Sequence, residues 1–225
     1  NFYNGSAVAI GTDIYLLGSD DYDNNNYKYD TLTNSYTQLE NIPYNFYNGS
    51  AVAIGTDIYL LGGSYSASYT RNYKYDTLTD NYTQLTSIPY NFYNGSVVAI
   101  NTDIYLLGGS GSNSQNNYKY DTLTGSYTQL ESIPYEFSNG SAVAIGTDIY
   151  LLGSSDSSNR QNNYKYRIVT NTQNKTVVIE IKNQGLGLLL NKILEIYFSN
   201  AKIYDNNALQ YYPTYYGTGQ EWIEI

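Results

Sequence analysis

The chain has 225 residues, among them 30 Tyr and 19 Gly but no Cys, His or Met, and only 14% of it is charged. The missing Cys and His exclude disulfides, thiol chemistry, Ser-His and Cys-His nucleophile pairs and the usual zinc sites. The formal charge of −9 repels phosphate backbones and anionic lipid, which argues against nucleic acid and membrane surfaces as partners.

The charge is unevenly placed. Residues 1–166 carry 15 acidic and 6 basic side chains (6 − 15 = −9), whereas residues 167–225 carry 5 of each and sum to zero. No run approaches the roughly 20 apolar residues of a membrane-spanning helix, and no charged-then-apolar signal segment opens the chain. The absence of Met at position 1 is what an internal or processed piece of a longer protein would show.

In chain order, the first feature is Asn1-Phe-Tyr-Asn-Gly-Ser-Ala-Val-Ala-Ile, which recurs from Asn45 and Asn91 and, modified, from Glu136. Self-similarity at this spacing marks a repeat architecture. Within each copy, Ser6–Ile10 and its equivalents are short and apolar, as in a buried strand. Asp13–Leu17 follows across Gly11-Thr12, a two-residue connection that predicts a hairpin. Tyr27–Tyr29 alternates in the period of two of a half-buried strand, and Tyr36–Leu39 is the fourth strand, ended by Pro43. A single four-stranded sheet cannot cover both of its faces, so the copies must stack on one another. The predicted fold is all-β, a propeller of four-stranded blades of about 45 residues, over residues 1–44, 45–90, 91–135 and an incomplete 136–166.

The order of apolar strand, Ile-Tyr-Leu-Leu-Gly-Gly, variable loop, Tyr-Lys-Tyr-Asp, aromatic-Thr-x-Leu and Ile-Pro resembles the kelch motif. Leu61-Gly62-Gly63 and Leu107-Gly108-Gly109 match its double glycine, while the outer copies have Gly18-Ser19 and Gly153-Ser154. Tyr36, Tyr82 and Tyr127 stand where kelch repeats usually carry Trp, and the basic residue common before the first strand is absent. The resemblance implies a propeller, generally of more than four blades. Either further blades lie upstream, or Thr176–Ile181 supplies the strand missing from the fourth copy.

Residues 167–225 leave the repeat and are expected to form a small β-rich capping or oligomerisation segment. Thr176–Ile181 predicts a strand. The apolar spacing from Leu186 to Tyr197 fits a helical face, although Leu194–Phe198 suits a strand equally. The Gly-containing stretch from Tyr215 to Ile225 predicts a hairpin anchored by Trp222. That ending loosely resembles C-terminal tails of phage tail-fibre and baseplate proteins, which would place the chain outside the cell or on a virion.

Candidate catalytic groups are few. Asp13, Asp57, Asp103 and Asp148 occupy one place in every copy, as expected for turn-stabilising residues rather than catalytic acids. Asp20-Asp21-Tyr22-Asp23 lacks the Gly and terminal Glu of an EF-hand loop and reads as a solvated loop. A copper oxidase of the galactose oxidase type, also built on a kelch-like propeller, would need absent His and Cys ligands. No cofactor or metal is expected. Asn4, Asn48, Asn94 and Asn139 each begin an Asn-Gly-Ser triplet, explained by a backbone turn with Gly5 and its counterparts in unusual conformations.

The copies differ mainly in the loop after the second strand, at Ser19–Asn25, Ser64–Arg71, Ser110–Asn116 and Ser154–Asn162. In kelch-like propellers this loop shares a face with the segment leading into the inner strand. Together they nominate Tyr3, Tyr47, Tyr93, Tyr22, Tyr65, Tyr69, Arg71, Asn113 and Arg160 as ligand-binding residues, since aromatic faces stack on sugars and amides bond their hydroxyls. Loop drift, with Phe2, Phe46, Phe92 and Phe137 packing between blades, is the plainer reading. The expected function is non-enzymatic recognition of a cell-surface glycan or protein receptor, on a phage tail or bacterial exterior. A protein-interaction scaffold is the first alternative. The second is a sugar-modifying enzyme, since bacterial kelch-like proteins include a sialic acid mutarotase. Homo-oligomers through the C-terminal segment are a further expectation.

Overall fold

A computed structural model of the chain describes residues 2–19, 24–63, 69–155 and 163–168 fully, and the backbone of 202–205, 208–211 and 220–224. The first compact unit comprises residues 1–168 with 221–225. It is built from four antiparallel sheets. Blade 1 contains β1 (Ser6–Ile10), β2 (Asp13–Leu17), β3 (Asn26–Asp30) and β4 (Ser35–Gln38); blade 2 contains β5 (Ser50–Ile54), β6 (Asp57–Leu61), β7 (Asn72–Asp76) and β8 (Asn81–Gln84). Blade 3 contains β9 (Ser96–Ile100), β10 (Asp103–Leu107), β11 (Asn117–Asp121) and β12 (Ser126–Gln129). Blade 4 contains β13 (Ser141–Ile145), β14 (Asp148–Leu152) and β15 (Asn163–Ile168).

The fourth place in blade 4, beside β15, is taken by β18 (Gln220–Glu224) from the far end of the chain. The segment expected to fill it, Thr176–Ile181, lies outside the described residues, as does the helix-or-strand stretch 186–198. The second unit, Val169–Gln220, contains the antiparallel pair β16 (Lys202–Asp205) and β17 (Ala208–Tyr211).

Blades 1 to 3, and the first three strands of blade 4, meander with sequential strands as neighbours, and the inner hairpin pairs Ile10 with Asp13 across Gly11-Thr12. The first position of that turn has φ near +60° in all four blades, at Gly11, Gly55, Asn101 and Gly146. Asn stands in for Gly once because it tolerates this region better than other side chains.

Successive blades pack inner strand on inner strand, β1 on β5, β5 on β9 and β9 on β13. The period of two sends alternate residues to opposite neighbours. Val97 packs toward blade 2 and the adjacent Val98 toward blade 4. Three separate cores result, one at each blade junction. The first joins Val8, Tyr15 and Leu17 to Ile58, Leu60 and Tyr75, with Ile42, Tyr44 and Phe46 filling the space between. The second and third repeat it residue for residue around Ile88, Phe92 and around Ile133, Phe137. Four stacked four-stranded sheets of this kind are the blades of a β-propeller.

Polar bonds repeat at the junctions as well. The Asn48 N–H donates to the Asn4 carbonyl, Asn94 to Asn48 and Asn139 to Asn94, at 2.9, 2.9 and 2.8 Å. These asparagines themselves adopt positive φ of 54–57°, whereas Gly5, Gly49, Gly95 and Gly140 do not. The expectation that the glycine supplies the unusual angle is therefore corrected. Glycine is required there for space, since a Cβ on Gly49 would lie 2.3 Å from the Phe46 ring. The buried Asn26 and Asn72 side chains donate to the hydroxyls of Tyr82 and Tyr127 in the next blade, both at 2.8 Å. Tyr in the kelch Trp position thus supplies a hydroxyl acceptor that indole lacks.

The repeated aspartates do not stabilise turns. Asp13, Asp57, Asp103 and Asp148 each pair with the lysine diagonally across on the next strand, Lys28, Lys74, Lys119 and Lys165, at 3.0–3.7 Å. The turn role belongs to Asp30, Asp76 and Asp121, whose carboxylates accept from two backbone N–H groups of the following Leu and Thr.

Candidate functional site on the loop face

The segments leading into the inner strands and the loops after the second strands meet in space. The Phe92 N–H donates to the Tyr69 carbonyl at 3.0 Å, and the Phe137 N–H to that of Ser114 at 2.9 Å. From the other side, Gly63 and Gly109 donate to the Phe92 and Phe137 carbonyls, both at 3.0 Å. This pinning explains the glycine pair. Gly62 has φ +65° and a Cβ there would sit 1.9 Å from the Phe92 oxygen, while Gly63 supplies the N–H that holds that oxygen. Phe46, Phe92 and Phe137 are fully buried between blades, as the packing reading expects.

The nominated residues fall into three groups. Tyr3 is exposed, and Tyr69 stacks on Tyr93 with ring centroids 4.6 Å apart and planes 33° apart; Tyr47 is half-buried. The Arg71 guanidinium lies 4.9 Å from the centre of the buried Tyr44 ring. Burial pushes the Tyr44 hydroxyl well above its ordinary pKa, and Arg71 partly opposes that. Asn113 closes a single 3-10 turn, Gly111–Asn113, and its amide bonds the Asn91 carbonyl and Asn116. Tyr22, Tyr65 and Arg160, with the Asp20–Asp23 cluster, lie outside the described residues.

A cleft that these nominations miss opens between blades 3 and 4. It is shallow and open, with a volume of about 470 Å³, and is lined by Ser110, Gly111, Ser114, Glu136, Ser138, Asn139, Ser154 and Ser155. Its hydroxyls are oriented by a local network. Asn94 Nδ2 donates to Ser110 Oγ at 3.0 Å, Ser110 and Ser138 share a bond at 3.3 Å, and Ser154 Oγ donates to the Glu136 carbonyl at 2.7 Å. Glu136 and Asn139 are exposed at the rim.

One signal for this cleft is visible in the sequence. The fourth copy reads Glu136-Phe137-Ser138 where the others read Asn-Phe-Tyr, so a carboxylate and a small hydroxyl replace an amide and a large ring. Among the described residues no group of three or more acidic side chains converges as a metal site, and no helix is long and apolar enough to cross a membrane.

The Kelch motif model matches residues 92–134, which span the third blade and its leading segment. The repeat is a kelch motif. Copies one and two repeat the third copy's order of strands and turns, and copy four repeats its first three strands. The protein in "Structure of YjhT" has a similar fold, with a TM-score of 0.67 at 16% identity over 76% of this chain. The chain spans 62% of that protein's length. No curated protein matches the sequence.

Proposed function

We propose that the chain is a non-enzymatic recognition module whose kelch loop face binds a hydroxyl-rich ligand, a cell-surface glycan, from a position on a phage tail or bacterial exterior. The cleft between blades 3 and 4 carries the reading. Hydroxyls that both donate and accept, an amide and one rim carboxylate form the donor and acceptor mix that sugar hydroxyls need. The stacked Tyr69 and Tyr93 on blades 2 and 3 add aromatic surface of the kind that covers an apolar sugar face. A sugar-modifying reaction routed through Arg71 is the weaker reading, because that guanidinium is engaged on Tyr44. A protein-scaffold role is favoured by a different feature, the exposed Leu32, Leu78 and Leu123 repeated at the β3–β4, β7–β8 and β11–β12 turns.

Glycan-array and whole-cell binding of the parent chain, beside Ser138→Tyr and a triple Tyr3, Tyr47, Tyr93→Ala variant, tests the proposal. Ser138→Tyr restores the residue of the other copies and fills the cleft without disturbing a core. Loss of glycan binding in Ser138→Tyr with an unchanged Tm is expected. Equal binding by the parent and both variants would sink it, and stoichiometric capture of a protein with no glycan signal would select the scaffold.

A further inference from the structure

The cleft between blades 3 and 4 is lopsided in charge. Its wall offers the hydroxyls of five serines, the Asn139 amide and one carboxylate, Glu136, with no basic side chain among the described residues. The described cations of blades 3 and 4 are held at the far ends of their sheets. Lys119 pairs with Asp103, and Lys165 and Arg167 pair with Asp148. Those aspartates open β10 and β14, whereas Ser110 and Ser154 lie beyond the last residues of the same strands, about 15 Å of strand away. Glu136 itself has no salt-bridge partner among the described residues. In the other copies its position holds Asn1, Asn45 and Asn91, so the carboxylate marks this one junction.

The carboxylate is presented from a fixed backbone. Ser154 Oγ donates to the Glu136 carbonyl at 2.7 Å. The next residue, Phe137, donates its N–H to the Ser114 carbonyl at 2.9 Å and accepts from the Gly109 N–H at 3.0 Å, with its ring fully buried. The Ser138 N–H then donates to Ser154 Oγ at 3.3 Å, and the Ser138 carbonyl accepts from the Ser155 N–H at 2.7 Å. The loops after β10 and β14 thus hold residues 136–138 from both sides, and the exposed Glu136 side chain borders the cleft. Ser138 Oγ shares a bond with Ser110 at 3.3 Å and accepts from Asn139 Nδ2 at 3.4 Å. Serine hydroxyls bond neutral sugar hydroxyls in either sense, so the carboxylate is the group that discriminates.

The charge of a ligand decides how it fares beside Glu136. An acidic sugar sets a second anion against the carboxylate, and like charges brought together disfavour a partner. A neutral sugar gains the serine bonds and leaves the carboxylate to water. A sugar with a free amine gains the same bonds and adds a charge-assisted one, shorter and stronger than its neutral counterparts. The net charge of −9 draws cationic ligands toward the chain as well. We propose that the cleft selects glycans bearing a free, protonated amine, that is amino sugars without the N-acetyl group, with Glu136 taking the ammonium and Ser110 and Ser138 the neighbouring hydroxyls. This selectivity rests on the glycan-binding reading of the loop face and narrows it to one class of sugar.

Isothermal titration calorimetry on the 225-residue chain tests it with oligosaccharides of equal length and linkage built from glucosamine, N-acetylglucosamine and mannuronate. At about pH 6, where the amine is protonated and the carboxylate ionised, the glucosamine oligomer is expected to bind about tenfold more tightly than the N-acetylated one, and the uronate most weakly. That ratio should fall toward one at about pH 9, where the amine loses its proton while Glu136 keeps its charge. It should fall equally in Glu136→Gln at the lower pH, with Tm unchanged. Equal binding of the two glucosamine forms by the parent overturns the proposal, as does a preference for the uronate. An amine preference that survives Glu136→Gln overturns it too, because the acidity of the whole chain would then be its source. Binding of the N-acetylated oligomer alone, lost in Ser138→Tyr, rejects the amine selectivity and leaves the broader glycan reading standing. Silence from all three oligomers rejects the selectivity, and the glycan array then decides the broader reading by itself.

Discussion

Gly62 and Gly55 separate two meanings of a positive φ. Both sit in the left-handed region, at +65° and +61°, but a Cβ on Gly62 would strike the Phe92 carbonyl, whereas nothing lies within 4 Å of one on Gly55. Gly55→Ala should therefore cost only the conformational preference, about 1 kcal/mol. Gly62→Ala should cost about 2–4 kcal/mol, because the strain is joined by forced separation of two blades. Urea unfolding of the two variants measures the difference directly, and equal losses would mean that the close approach carries no energy.

The Asn72 to Tyr127 bond gives a second single-residue expectation. Tyr127→Phe removes the hydroxyl but leaves the Asn72 amide its bond to the Thr86 carbonyl at 3.3 Å. A partly satisfied buried amide predicts a loss of about 1–2 kcal/mol by the same measurement.

At the scale of elements, the β3–β4 turn and its repeats are fixed by one carboxylate each. Backbone N–H groups of the next residues hold the Asp30, Asp76 and Asp121 carboxyls below their ordinary pKa. A depressed folded pKa contributes stability above the unfolded value, about 3.9, that is lost as pH falls through the folded one. Thermal melts should show Tm falling below about pH 4, and a triple alanine variant at these aspartates should start lower at neutral pH with a shallower acid limb. An unchanged acid limb would assign the pH dependence elsewhere. Blade 4 adds nothing to this effect, since Arg167 occupies the position and reaches Asp148 at 3.3 Å.

The whole molecule is held by tyrosines packed between blades. Burial raises the hydroxyl pKa of Tyr44, Tyr90, Tyr75, Tyr82, Tyr105, Tyr127, Tyr135 and Tyr166. A raised folded pKa means that stability is fully present below the unfolded value, about 10, and declines as pH climbs past it, because only the unfolded chain can ionise these groups. Spectrophotometric titration should therefore show this set ionising together with loss of far-UV circular dichroism, in one cooperative step. Phenolate signal from the full complement before any unfolding would contradict the junction cores. Since each blade packs its inner strand on those of its neighbours, stability is close to a sum of blades and junctions.

The strands were legible in the sequence because their cause is local. β1 and β2 begin and end where the Ser-Ala-Val-Ala-Ile and Asp-Ile-Tyr-Leu-Leu runs do, the two-residue hairpin follows from Gly11-Thr12, and fourfold recurrence makes the blade unit plain. Sequence also set the exclusions, since chemistry needing His or Cys has no residues to use. Which surface covers which side chain depends on residues 40 to 60 positions away, and that was decided only by the tertiary structure. It buried Phe92 and stacked Tyr93 on Tyr69, although the two are adjacent in the chain; it spent Arg71 on Tyr44 and the repeated aspartates on lysines. It also completed blade 4 with β18, which shares none of the repeat, because an unpaired strand edge accepts any backbone that reaches it. The cleft at Ser138 arises from the same cause: a repeat specifies its junction locally, but only the assembled array shows where a junction opens into a cleft.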